Sequence, residues 1–269
     1  MKIRLDKMLV DQGHAASRER AQALILAGRV LVDEQRVDKP GTSIAEDAAI
    51  RMLGVDLKYV SRGGLKLERA LAHWSIDLGG VPCIDIGAST GGFTDCMLQS
   101  GAASVLAVDT GYGQIAQKLR DDARVTLRER TNARLLTEGE LLKAGAPVPE
   151  FIAMDVSFIS ATLVLPAVLG ALSGAEQSWR GAAVILVKPQ FEAGRLNVGK
   201  GGIVRDPEAR QFAIRRVCEC VVEQGGTVVE VIDSPIKGME GNHEYLLYAR
   251  FSGDRAKLPG ATIGAEQLH

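Results

Sequence analysis

The chain has 269 residues, 46% of them apolar, and its 32 Lys and Arg stand against 33 Asp and Glu for a formal net charge of −1 at pH 7. That length and apolar share fit one ordinary α/β domain with a small companion, and the balanced charge gives no global signal for nucleic acid, leaving any such surface to local patches. The four cysteines, Cys83, Cys96, Cys218 and Cys220, lack zinc-ribbon spacing and read as reduced thiols.

At the N-terminus, residues 1–7 contain no apolar core of a signal peptide, so a cytoplasmic protein is expected. Leu5, Leu9 and Val10 form a helical stripe. Ser17 is placed to cap a second helix that runs to Ala27 and stops at Gly28. A short strand over 29–32, a turn over 33–36 and the Pro40-Gly41 break complete a small α+β module in residues 1–59. Its basic residues Arg4, Lys7, Arg18, Arg20, Arg29, Arg36 and Lys39 are nearly cancelled by acidic ones. A polyanion-binding surface there requires the fold to segregate the two signs.

From about Ser61 the pattern becomes α/β. Apolar strands are expected over 83–86, 104–108, 124–127, 151–154, 182–187, 227–232 and 245–251, with a helix over 65–74 before the first and helices over 159–172 and 207–223 between later ones. Such alternation predicts a mostly parallel seven-stranded sheet with helices on both faces, occupying residues 60–252. The 159–172 segment contains Pro166 and is short for a membrane span, so it reads as a core helix and no span is expected. Residues 253–269 have little periodicity and are expected to form a flexible tail.

The most apolar strands end in charge. Ala182-Ala183-Val184-Ile185-Leu186-Val187 runs into Lys188, and Phe151-Ile152-Ala153-Met154 runs into Asp155. A charge is costly inside a doubly covered sheet, so each marks a strand's carboxyl end, and ligand crevices lie beyond those ends. Asp155 and Lys188 are thus expected at one cleft, with an ion pair at the sheet rim as the plain structural alternative. The topology brings Lys66 and Glu244 to the same place. Asp85-Ile86-Gly87-Ala88-Ser89-Thr90-Gly91-Gly92-Phe93 forms a glycine-rich turn between strand and helix, where backbone can approach a ligand closely. Asp109 ends the next strand, where a carboxylate can accept both hydroxyls of a ribose. A dinucleotide dehydrogenase uses a related layout, but Ser89 stands at its second fingerprint glycine. The histidines are scattered, so no metal site is expected. Trp74 and Trp179 read as packing residues. The loop over 192–205 has the length of a functional lid.

Lys66, Asp155, Lys188 and Glu244, in this order, resemble the Lys-Asp-Lys-Glu tetrad of FtsJ-like ribose 2'-O-methyltransferases. The strings Ser61-Arg62-Gly63-Gly64, Asp155-Val156-Ser157-Phe158-Ile159-Ser160, Lys188-Pro189-Gln190-Phe191-Glu192 and Gly199-Lys200-Gly201-Gly202-Ile203-Val204-Arg205-Asp206 are similar to the TlyA branch. That branch joins an N-terminal RNA-binding module, first named in a small-subunit ribosomal protein, to a class I, Rossmann-like methyltransferase domain. Arg4-Leu5-Asp6 and Ser17-Arg18-Glu19-Arg20-Ala21 resemble the module.

The resemblance implies S-adenosylmethionine-dependent 2'-O-methylation of a cytidine in ribosomal RNA, with ribosomal RNA or ribosomal subunits as partners. It puts Asp85, Gly87, Ser89, Gly91, Gly92 and Phe93 on the cofactor's methionine side, Asp109 on its ribose and Asn132 on its adenine edge, a turn asparagine being the alternative for the last. Lys188 would deprotonate or hydrogen-bond the attacking oxygen, with Lys66 as the neighbouring cation and Asp155 and Glu244 as orienting groups. Arg4, Lys7, Arg18, Arg20, Arg62, Lys200 and Arg205 would meet RNA phosphates. Two other functions are set against this one. A membrane-active haemolysin, a label attached to TlyA relatives, lacks support in any span or strongly basic amphipathic helix. An RNA-binding protein with an inactive methyltransferase fold is opposed by the intact tetrad.

Overall fold

In the computed structural model, described over residues 2–15, 17–53, 58–142, 146–174, 178–238 and 241–253, the chain divides into two compact units, Met1–Leu57 and Lys58–His269. The tail expected from 253 onwards lies, past residue 253, outside the described residues.

The first unit contains β1 (Lys2–Arg4), α1 (Leu5–Asp11), α2 (Arg18–Leu26), β2 (Val30–Val32), β3 (Gln35–Arg36), β4 (Ser43–Ala45) and β5 (Ile50–Met52). Ser17 caps α2 as expected, its hydroxyl accepting the Arg20 N–H at 3.2 Å. Leu5, Leu9, Ile25 and Val30 are fully buried and form the centre of the unit's core. The expected turn over 33–36 is tighter than the sequence suggested: Asp33 and Glu34 take positive φ, and Gln35 and Arg36 already pair back onto β2. That two-residue hairpin needs left-handed backbone at both central positions.

The second unit contains α3 (Gly63–His73), β6 (Pro82–Ile86), α4 (Gly92–Gln99), β7 (Ser104–Val108), α5 (Gln117–Arg120), β8 (Val125–Arg128), β9 (Phe151–Met154), α6 (Ala161–Ala171), β10 (Arg180–Val187), α7 (Pro189–Glu192), α8 (Pro207–Glu223), β11 (Gly226–Asp233) and β12 (Tyr245–Ser252). Its strands form one sheet in the order β11-β12-β10-β9-β6-β7-β8. The strands from β10 through β8 pair in parallel, and β12 runs antiparallel to both β10 and β11. The last strand reverses because no helix intervenes between β11 and β12, so no parallel crossover is available.

Alternating residues of each strand feed two cores. Ile84, Ile86, Ile152, Met154, Ile185 and Val187 face α6 and α8, whereas Cys83, Phe151, Ala153, Val184 and Leu186 face α3 and α4. α8 begins with Asp206 accepting the Glu208 N–H and Pro207 in the first turn, a start that sets its direction and is worth about 1 kcal/mol. Trp179 is buried and donates to the Pro149 carbonyl, and Trp74 stacks on Tyr248, so both serve packing.

Chain order reverses between β6 and β9. β6 continues to β7 on one side, while β9 returns on the other. A crevice opens at such a switch point, beyond the carboxyl ends of the strands.

Candidate active site

A cavity of about 730 Å³ occupies that crevice, within the size range of small-ligand sites. Its floor is the turn that follows β6. Gly87 takes φ +88°, and a Cβ there would lie 2.5 Å from the Asp155 carbonyl oxygen. Glycine is therefore required twice over, for the left-handed backbone and for the approach to the segment leaving β9. Ser89 also has positive φ (49°), the strained position where a dehydrogenase would carry glycine. Its N–H donates to Asp109 Oδ2 at 2.8 Å, and the Gly111 N–H donates to Oδ1 at 2.6 Å. The carboxylate ending β7 is thus oriented by two backbone amides. Gly92 lets the start of α4 close on the start of α3: a Cβ on it would meet Ser61 Oγ at 2.3 Å and the Gly64 nitrogen at 3.0 Å. This contact explains why Ser61, Arg62 and Gly63 border the cavity.

The wall opposite carries the ionic side chains. Lys66 projects from α3 and Glu244 precedes β12; Lys66 Nζ donates to Glu244 Oε2 at 2.6 Å. Lys188 Nζ donates to Ser157 Oγ at 2.6 Å and lies 2.5 Å from Asp155 Oδ1. The second contact is an ion pair outside hydrogen-bonding geometry. All four residues line the one cavity, together with Gly87, Ser89, Gly92, Phe93, Asp109, Asn132 and Arg62. Two lysines, each with its own carboxylate, share the cavity with a glycine turn and the Asp109 carboxylate. The arrangement can bind a nucleoside, hold a hydroxyl and move its proton.

Not every expected residue is on the wall. Asp85 is fully buried beneath the turn and does not line the cavity. Strand parity turns it toward α4, where its Oδ2 accepts the Thr94 N–H and Oγ1–H at 2.9 and 2.6 Å. It anchors the helix start and acts on a ligand only through the turn. Gly91 is also off the wall, its Cα facing Leu119 and Ile115. Asn132 lines the cavity, and its Oδ1 accepts the Arg134 N–H, as the turn reading expected. Lys200 and Arg205 are exposed on the loop after α7, off the cavity wall. That loop is tied down by the buried Asn242, which accepts from the Val204 N–H and donates to the Gly202 carbonyl.

In the first unit Arg4, Lys7, Arg18 and Arg20 are exposed. Arg4, Arg18 and Gln22 all donate to the fully buried Asp6, and the Arg4 guanidinium holds that carboxyl well below the usual range. Glu34 is paired with Arg51, and Asp33 accepts the Ala49 N–H. These pairs occupy cations as well as acids, Arg4 and Arg18 on Asp6 and Arg51 on Glu34, and leave the unit's charge balance unchanged. Among the described residues no His/Cys/Asp/Glu group could hold a metal ion.

Sequence reasoning missed the lip of the cavity. Phe158 is 92% exposed with φ +64°, and its ring lies 5.6 Å from that of Phe191. The signal was present. Each phenylalanine follows its strand-end charge by three residues, Asp155 and Lys188, and the two strands are parallel neighbours.

Burial pushes the Asp85 carboxyl up to about 7, with Asp155 and Asp109 adding repulsion against the two Thr94 hydrogen bonds. A raised acid favours the folded state fully below its unfolded value near 3.8, and that contribution is lost as pH rises toward the folded value. Between about pH 4 and 7 the wild type should therefore lose stability relative to Asp85→Asn by up to about 1.4 kcal/mol per pH unit. Urea titrations of both proteins across that window check it; a wild-type-to-variant difference that stays constant with pH would contradict the assignment.

Comparisons with known proteins find relatives over most of the chain. A family model described as FtsJ-like methyltransferase matches residues 59–251, and one described as S4 domain matches residues 3–50. The chain is 44% identical over 257 residues to the 16S/23S rRNA (cytidine-2'-O)-methyltransferase TlyA of Mycobacterium tuberculosis, covering 95% of this chain and 92% of that protein. It is 41% identical over 246 residues to Hemolysin A of Brachyspira hyodysenteriae, covering 91% and 99%. A solved structure described as "Putative hemolysin from Streptococcus thermophilus" superposes with a TM-score of 0.69 at 42% identity, covering 93% of this chain and 89% of that one.

Proposed function

Because the chain belongs to the FtsJ-like methyltransferase family and carries an S4 domain ahead of it, we propose that it transfers a methyl group from S-adenosylmethionine to the ribose 2'-oxygen of a cytidine in ribosomal RNA. The observation that carries this reading is the meeting of Lys66, Asp155, Lys188 and Glu244 on the wall of one cavity that also holds Asp109 and the Gly87 turn. The substrate follows the tuberculosis relative, whose name specifies cytidine 2'-O in 16S and 23S rRNA.

The residues present fit the cofactor. Asp109, held by two amides, offers its remaining lone pairs to the two ribose hydroxyls. Asn132, on the same cavity wall, would meet the adenine edge, and the turn from Gly87 to Gly92 would supply backbone at close range. When bound, S-adenosylmethionine supplies an electrophilic methyl group on a sulfonium. Lys188, oriented by Asp155 and Ser157, would act as base from its neutral amine form, taking the proton of the attacking 2'-hydroxyl and ending as the ammonium paired with Asp155. Lys66, fixed by Glu244, is the second cation beside that oxygen and stabilises its developing negative charge. Much of the acceleration comes from holding oxygen and methyl carbon in line.

RNA reaches the cavity past Arg62 and the Phe158–Phe191 pair. An aromatic ring exposed in strained backbone beside a catalytic pocket suits a base drawn out of its stack, and such stacking is worth about 1–3 kcal/mol. Phe158→Ala should weaken RNA binding by about five- to a hundredfold. Affinity for S-adenosylmethionine and stability should hardly change, since the side chain covers no core. Titration with ribosomal subunits and calorimetry with the cofactor check both halves; unaltered RNA affinity would remove Phe158 from the contact. Arg4, Lys7, Arg18 and Arg20 are the candidate phosphate contacts of the S4 domain, and Lys200 and Arg205 those of the loop after α7.

The reading places the protein with ribosomes in the cytoplasm. No described helix is long and apolar enough to cross a membrane. Its test is incubation of purified ribosomal subunits with the protein and methyl-labelled cofactor. Label is expected in ribosomal RNA from cells that lack this activity; no incorporation into either subunit would refute the reading.

A further inference from the structure

Two short segments leave the carboxyl ends of β9 and β10 side by side, and three contacts join them. Lys188 meets Asp155 and Ser157. The Phe191 ring meets that of Phe158. At the far end, Glu192 is only 1% exposed, and it accepts the Ser160 Oγ–H at 2.5 Å and the Ala161 N–H at 2.7 Å. Its backbone carbonyl accepts from Arg216 Nη1 at 2.9 Å, which ties the same residue to α8.

A carboxylate removed from water is costly unless its oxygens are satisfied. Here both oxygens are satisfied by donors of the neighbouring segment, at the start of α6. Burial still pushes this carboxyl above its ordinary range. A helix cap would be the plain explanation, but α6 already has one, because Ser160 Oγ accepts the Thr162 N–H at 3.2 Å. What Glu192 adds is a link between two strand-end segments that the sheet's hydrogen bonds no longer hold, the β9–β10 ladder having ended at Met154 and Ile185.

We propose that Glu192 is a positioning residue for the methyl-transfer site, clamping the segment after β9 to the segment after β10 so that Lys188, Asp155 and the two phenylalanines keep their places. It does not line the cavity. It acts through the residues on either side of it. The inference rests on the methyltransferase reading for its effect on rate, but its effect on loop mobility stands independently.

The test uses the full chain with Glu192→Gln, Ser160→Ala and the double variant. Turnover is measured on ribosomal subunits with labelled S-adenosylmethionine, cofactor affinity by calorimetry, and amide exchange by mass spectrometry. A displacement of about 1 Å at a reacting group costs on the order of a hundredfold, so Glu192→Gln should lower kcat by about ten- to a hundredfold. Cofactor affinity should stay within about twofold of wild type. Exchange should quicken at residues 155–161 and 188–193 alone. The two changes share the Ser160–Glu192 contact, so their effects on turnover should combine to less than the sum of the singles, although Ser160→Ala also removes the Thr162 cap of α6.

Glu192→Gln with wild-type turnover, or with turnover and cofactor affinity falling in proportion to a general loss of protection, would overturn the clamp. If Glu192→Gln does not fold, Ser160→Ala carries the same expectations. A wild-type protein that methylates no ribose would refute the function, whereas local exchange in the variants would still decide the clamp.

Discussion

Lys188→Met is expected to lower methyl transfer by about 10²–10⁴-fold while leaving S-adenosylmethionine binding intact. The side chain is 9% exposed and sits at the end of an apolar strand, so methionine fills nearly the same volume. Its partner Asp155 retains 20% side-chain exposure although its Oδ1 is buried, so leaving it unpaired should cost less than it would at Glu244, which is 3% exposed. The change therefore removes the proposed proton-handling group with less damage to the fold than at Lys66. Lys66→Met should behave differently. Glu244 is only 3% exposed, and loss of its partner strands a buried charge, a change that typically costs about 3–5 kcal/mol. Activity and stability should fall together there, but separate at Lys188. Single-turnover rates, cofactor calorimetry and urea titrations of the two variants make the comparison. Lys188→Met with turnover near wild type would remove that lysine from the chemistry.

Gly87→Ala should be the most damaging small change in the turn. Its backbone is left-handed, which costs a residue with a Cβ about 1–2 kcal/mol. The added carbon would stand 2.5 Å from the Asp155 carbonyl oxygen and 2.9 Å from its carbon, both backbone atoms that no rotamer can move aside. Overpacking of this kind adds about 1–3 kcal/mol. Relief requires the turn or the Asp155 segment to shift, so cofactor affinity and turnover should both collapse. Gly113→Ala is the control, because Gly113 has φ +69° but nothing within 4 Å of the position a Cβ would take. It should show the backbone cost alone. Equal urea midpoints for the two variants would contradict the close approach seen at Gly87.

Much of this architecture was legible because a parallel sheet writes its site into strand ends. Apolar runs that stop at Asp155, Lys188 and Asp109 could only stop at one edge of the sheet, and the glycine turn had to share it. What stayed hidden depended on parity and register. Asp85 reads as a ligand contact in the linear motif, yet its place in the pleat turns it under the turn to Thr94. The Phe158–Phe191 lip and the Glu192 clamp appear only once β9 and β10 are known to be neighbours in parallel register. The first unit's charge was similarly opaque. Counting signs treats Asp6 as a repulsive surface group, whereas the fold buries it beneath Arg4, Arg18 and Gln22.

The central claim is that a buried lysine pair and its carboxylates direct a methyl group to a sugar oxygen. Ribosomal RNA labelled by the wild-type protein can be digested to nucleosides and resolved by mass. The account predicts label in 2'-O-methylcytidine, present with wild type and lost with Lys188→Met. Label on a base, or ribose label undiminished by that substitution, would contradict it.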